Sequence, residues 1–215
     1  MRVRHAVPLA MLLLAAAAPV PPPLAAALAA TERAWAAANY TVTAKAVQTA
    51  AFDGVIAQTD ALAARYPDRA EPLVWRGVVK VSKAGVIGGL TGFGLIKDAR
   101  RDLDAAQRLD PAAADGLGSS QLGVLYEQVP GPPLAFGNRV AARRYLDAAL
   151  KADPDSLAAN LAYGDYLFSG GNYATAETVL RHALAAPPRS GQAVSEAGRR
   201  DEVKVLLAKI AAKRR

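Results

Sequence analysis

The chain has no cysteine, only two histidines, two methionines and two tryptophans in 215 residues. Without cysteine it forms neither a disulfide nor a lipid-modified N-terminal cysteine, and thiolate metal sites are excluded. His5 falls in the leader and leaves His182 alone, too few imidazoles for a histidine-based metal centre. A serine-histidine-aspartate arrangement would have to recruit His182, and there is no Gly-x-Ser-x-Gly elbow for the serine. Runs of β-branched and aromatic residues, the mark of strands, are scarce. What abounds is alanine, the best helix former, within a composition that is 52% apolar. An all-α protein is expected.

Long apolar runs are also missing beyond the start. The opening MRVRHAVPLAMLLLAAAAPVPPPLAAALAA places Arg2 and Arg4 before an apolar stretch and ends in small residues, the pattern of a cleavable secretory signal over residues 1–29. Pro19, Pro21, Pro22 and Pro23 interrupt the run short of the roughly 20 residues that a membrane span needs. The expected cut lies between Ala18 and Ala30, leaving a single domain over 30–215 in the periplasm. The net charge is +7, two of those charges being Arg2 and Arg4. The cations are scattered apart from the tail Lys213-Arg214-Arg215, which suits a helix C-terminus better than a nucleic-acid surface.

Small residues recur at fixed intervals. Gly164, Ala176, Ala183 and Pro188 close the chain's clearest unit, and Ala142, Ala149 and Pro154 repeat its second half 34 residues earlier. Ala99, Ala106 and Pro111 repeat it again, with a weaker copy at Val55, Thr59, Leu62 and Pro67; Gly77 and Gly123 correspond to Gly164. This pattern resembles the tetratricopeptide repeat, a helical hairpin of 34 residues. The resemblance implies a solenoid of about four helix pairs, in which glycine on each first helix faces alanine on the second. A helix is expected over about 31–50, and a capping helix from about Ser195 to Lys213, with Val203, Leu206, Leu207 and Ile210 on one stripe.

Two copies carry insertions, near 84–97 (AGVIGGLTGFGLI) and near 129–138 (VPGPPLAFGN), between the two helices of a pair. The first lacks the lysine and hydroxyl residue of a phosphate loop and reads as a flexible apolar loop. Its Ile87, Leu90 and Phe93, with Leu134 and Phe136 of the second, are candidate contact residues. The stretch GVLYEQVPGPPLAFGNRVAARRYLDAALKADPDSLAANLAYGDYL is similar to exported proteobacterial tetratricopeptide proteins akin to the T-component of tripartite periplasmic transporters, although Pro132 and Asn138 stand where those relatives carry tryptophan and aspartate.

The resemblance implies a concave groove lined from the first helices, which places Val74, Val78, Val81, Leu117, Val124, Leu161 and Phe168 on it. No lysine-asparagine pair for gripping a peptide carboxylate occurs there. Two occupants suit an apolar groove: a protein partner in the cell envelope, which makes the chain a non-enzymatic scaffold or adaptor serving a transporter, or an apolar small molecule or lipid, which makes it a carrier. The protein's own terminal helices are a third occupant. No catalytic residue, metal site, cofactor or nucleic-acid partner is expected.

Overall fold

The computed structural model describes residues 19–214, and their regular secondary structure is helical. Nine α-helices follow one another there: α1 (Pro22–Tyr40), α2 (Lys45–Arg65), α3 (Glu71–Ile87), α4 (Gly89–Leu109), α5 (Leu117–Gln128), α6 (Arg139–Ala152), α7 (Leu157–Ser169), α8 (Tyr173–Ala185) and α9 (Ala193–Lys213). The first eight pair as four antiparallel hairpins, and each even helix packs on the next odd one.

Local chemistry sets the boundaries. Asn138, Ser156 and Asn172 cap α6, α7 and α8 by accepting hydrogen bonds from the backbone N–H groups of Ala141, Ala159 and Thr175. Pro67, Pro111, Pro154 and Pro188 follow the C-terminal ends of the even helices, where a residue without an N–H cannot continue the ladder. The glycines of the repeat are buried at the hairpin crossings. A Cβ added to Gly77, Gly123 or Gly164 would lie 2.6, 2.6 and 2.5 Å from side-chain carbons of Leu103, Leu146 and Leu180. The partner in contact with each glycine's missing side chain is thus a leucine, not the expected alanine. Ala99, Ala142 and Ala176 sit one helical turn earlier, fully buried, so that the leucine reaches the glycine over them.

Two sequence expectations are corrected. The helix anticipated over 31–50 is two helices, because the β-branched run Thr41-Val42-Thr43 resists helix continuation and forms the first hairpin turn. The segment 84–97 is not a flexible loop: α3 runs to Ile87, Gly88 (φ 69°) makes the break, and α4 begins at Gly89. Its glycines serve close approach, since a Cβ on Gly92 would lie 2.8 Å from the Ala84 carbonyl oxygen, while Val86 and Ile96 pack into two parts of the core. Tertiary packing here outweighs glycine's poor helix propensity. Residues 22–29, within the expected signal 1–29, form the first two turns of α1 with Leu24 fully buried. The rest of the expected signal, residues 1–18, lies outside the described residues, as does Arg215. The second insertion is a loop over 129–138, with a cis bond between Pro132 and Pro133.

Candidate functional site

The odd-numbered helices form an inner ring. α1 packs on α3, α3 on α5, α5 on α7 and α7 on α9, and α9 returns to touch α1, so the two ends of the solenoid meet. The seam is specific. Ser195 of α9 donates a hydrogen bond to the buried carboxylate of Glu32, and the Arg199 guanidinium lies 5.0 Å from the Trp35 ring. Gly198 allows contact with Tyr40: a Cβ there would lie 2.3 Å from the Tyr40 ring. The Tyr40 hydroxyl lies beside Glu202, and burial, then the Glu202 charge, pushes its ionisation far above the ordinary phenol range. The Glu202 side chain as a whole is exposed, but desolvation of its carboxyl beside Tyr40 holds it above the carboxylate range.

Ring closure divides the concave face. Trp35 sits 5.8 Å from Trp75 and donates from its indole N–H to the Ser82 hydroxyl at 2.8 Å, seating α1 across α3. Val74 and Val78 are buried beneath that contact and belong to the core. Val81 packs beside Leu103 and Leu122, and Phe168 against Tyr173 in the C-terminal cluster. Leu117 borders a smaller cavity of about 380 Å³ at the N-terminal ends of the odd helices. Only Val124 and Leu161 of the seven groove candidates line the larger cavity, of about 960 Å³, between α1, α5, α7 and α9. There they meet Val205 and Leu206 of α9, Trp35 and Tyr40 of α1, and the polar side chains Gln121, Gln128, Asp165 and Lys209. Among the described residues those four polar groups have no hydrogen-bond or ion-pair partner.

The insertion residues lie outside both cavities. Leu90 and Leu134 are exposed, Ile87 and Phe93 half-buried, and Phe136 stacks edge-on to Tyr126 under the Arg100 guanidinium, 4.5 Å away. The sequence offers the protein's own terminal helices as one occupant of the groove but does not single out the α1 and α9 residues that wall the cavity. Trp35 and Tyr40, the aromatics of an otherwise alanine-rich helix, were the signal for α1.

Residues 134–197 match the family model of the tetratricopeptide repeat. The matched stretch takes in α6, α7, α8 and the start of α9, and the fold as a whole is an all-α, tetratricopeptide-like helical solenoid. No curated protein matches the chain. Tetratricopeptide repeats generally mediate contacts between proteins. Asp102 and Asp104 make structural pairs: Asp102 is held by Arg76 and Lys80, each at 2.6 Å, and Asp104 pairs with Arg100. His182 is exposed, 3.1 Å from Asp155. Among the described residues no cluster of acidic and imidazole groups is placed to hold a metal ion, and no helix is long and apolar enough to cross a membrane.

Proposed function

We propose that the protein is an exported, non-enzymatic adaptor of the cell envelope, acting with a transporter, whose larger cavity receives a segment of a partner protein. One observation carries the choice of site: an apolar strip of Val124, Leu161 and Val205 runs beside Gln121, Gln128 and Asp165, whose hydrogen-bonding groups are unmatched within the described residues. Gln121 and Gln128 are seven residues apart on α5 and share a face, spaced to pair with a peptide backbone while the apolar strip takes alternate side chains. A purely lipid ligand would leave those amides and the Asp165 carboxylate without partners. Export rests on the leader pattern before Pro19. A cut after Ala18, at the early end of the expected window, leaves α1 whole, and with it the wall of the cavity that Trp35, Asn39 and Tyr40 supply.

The test is site-specific photocrosslinking in envelope extract. A crosslinker at Gln128 is expected to capture one protein that the same crosslinker at Leu109, outside the cavity, does not, and Val124→Asp with Leu161→Asp is expected to abolish capture. Native mass spectrometry showing a tightly held lipid in the cavity, with no crosslinked protein, overturns the adaptor reading in favour of a carrier.

A further inference from the structure

The hairpin turns and the turns between repeats lie on opposite edges of the solenoid, because all odd helices run one way and all even helices the other. The two edges differ in chemistry. Between repeats the turns hold Asp68, Asp110, Asp115, Asp153 and Asp155 together with Arg69 and Arg189, and Arg189 is paired with Asp115 and Asp153. The hairpin turns 41–44, 88, 129–138 and 170–172 hold no charged residue.

The hairpin edge also carries the most exposed large apolar side chains described. Leu90 is 91% exposed, Val140 82%, Leu134 81% and Val47 59%, and all four stand at or within three residues of a hairpin turn. Val20, Leu109, Val194 and Val205 are less exposed and lie elsewhere. None of the four lines either cavity, so they are separate projecting points and not the wall of a groove. The turns are tied side by side: the Lys45 ammonium donates to the Ile87 carbonyl at 3.3 Å, Phe136 lies under Arg100 of the preceding hairpin, and Arg139 donates to the Ser169 hydroxyl at 3.1 Å.

Cations stand close to these points. Leu90, Phe93 and Lys97 share one face of α4, with the Lys97 ammonium 4.7 Å from the Phe93 ring. Arg144 follows Val140 by one turn, and Lys45 precedes Val47. Among the described residues, Lys45, Lys97 and Arg144 have no carboxylate partner. Arg139 and Arg143 add charge but are paired with Glu127 and Asp147.

We propose that this edge docks on an anionic lipid bilayer, with Leu90, Leu134, Val47 and Val140 entering the interface and Lys45, Lys97 and Arg144 meeting the headgroups. Charge complementarity selects the occupant: apolar tips on neutral turns, with Lys45, Lys97 and Arg144 within two helical turns of them and free of carboxylate partners, against a far edge whose turns hold five aspartates and two arginines, form the profile of a peripheral membrane surface. The attachment is superficial, since no described helix spans a bilayer. The lining of the larger cavity reaches this edge at Asn39, Thr41 and Gln128 and the opposite edge at Ala158, Ala193 and Val194.

The cysteine-free chain permits a local test. Leu90→Cys, Leu134→Cys and, on the opposite edge, Leu109→Cys are each labelled with an environment-sensitive fluorophore in the full chain. Each is then mixed with vesicles of phosphatidylglycerol and phosphatidylcholine in equal parts, or of phosphatidylcholine alone. Residues 1–18 are common to all variants and cancel in the comparison. A blue shift is expected at positions 90 and 134 on the anionic vesicles and not at 109. Combining Lys45→Glu, Lys97→Glu and Arg144→Glu is expected to weaken binding to the anionic vesicles by about a hundredfold or more. No shift at 90 and 134, an equal shift at 109, or an equal response on phosphatidylcholine alone overturns the proposal. So does a shift produced only by lipid-free envelope extract, which assigns the edge to a protein. Val124→Asp, which tests the cavity, is expected to leave vesicle binding unchanged, so the two readings fail separately.

Discussion

Gly77 and Leu103 meet so closely that a single added methyl on the glycine would stand 2.6 Å from the leucine Cγ, and Gly123 with Leu146 and Gly164 with Leu180 reproduce the contact. Each pair is the point where one hairpin closes. Gly77→Ala, Gly123→Ala and Gly164→Ala are each expected to destabilise the protein by about 1–3 kcal/mol, despite alanine's better helix propensity, since the leucine is fully buried and cannot yield. Gly54→Ala makes the opposite case. It lies inside α2 with open space around its Cβ position, and it is expected to stabilise by about 0.5–1 kcal/mol. Thermal and urea unfolding of the four variants distinguishes the two signs.

Asp102 is buried between Arg76 and Lys80 of the facing helix. Asp102→Ala leaves two cations at the α3–α4 interface without their shared acceptor, although Arg76 keeps its contact with Asp60. The expected cost is about 2–4 kcal/mol, below that of a fully dry pair because both cations retain some solvent. Lys80→Ala, which leaves Arg76 on the carboxylate, is expected to cost less, and chemical denaturation reads both.

Leu24 is fully buried at the start of α1. Leu24→Ala is expected to cost about 2–5 kcal/mol. Deleting the chain through Ala29 is expected to destabilise at least as much and to loosen the α1–α9 seam, measured as increased hydrogen exchange in both helices. A protein beginning at Ala30 and as stable as one beginning at Pro19 would move the expected cleavage site to the later position.

Partial desolvation beside Tyr40 holds the Glu202 carboxyl above its ordinary range, against the opposing pull of Arg199 and the Tyr40 hydroxyl. The folded chain therefore keeps this proton to higher pH than the unfolded chain does. The stability owed to this group is full below the unfolded carboxylate value, about 4.3, and declines as pH rises through the raised folded one. Glu202→Gln removes the titration, so the variant is expected to gain on the natural protein as pH climbs from about 4 toward neutrality. A constant difference across that range would refute this assignment.

Much of the hairpin architecture was legible because its determinants are local. Capping residues, prolines after even helices and small residues at crossings act within one or two turns of the chain, and the capping helix α9 begins two residues before its expected start. The insertion at 84–97 was misread because glycine carries two meanings, freedom and closeness, and only the neighbour across the interface decides which applies. Ala84 decided it for Gly92. Likewise Val74 and Val78 hold groove positions in the repeat, but Trp35 lies over them and makes them core.

By itself the sequence determined that this chain folds into stacked helical hairpins, since the close crossing of two helices requires a small side chain at a set interval and the turn requires a breaker. Closure of the stack into a ring was decided only in three dimensions. Glu32 and Ser195 are 163 residues apart, and their meeting depends on the curvature summed over every intervening pair of helices. No single repeat encodes that sum, so the cavity at its centre, and the edge on which the exposed leucines gather, emerge only when the whole stack is assembled.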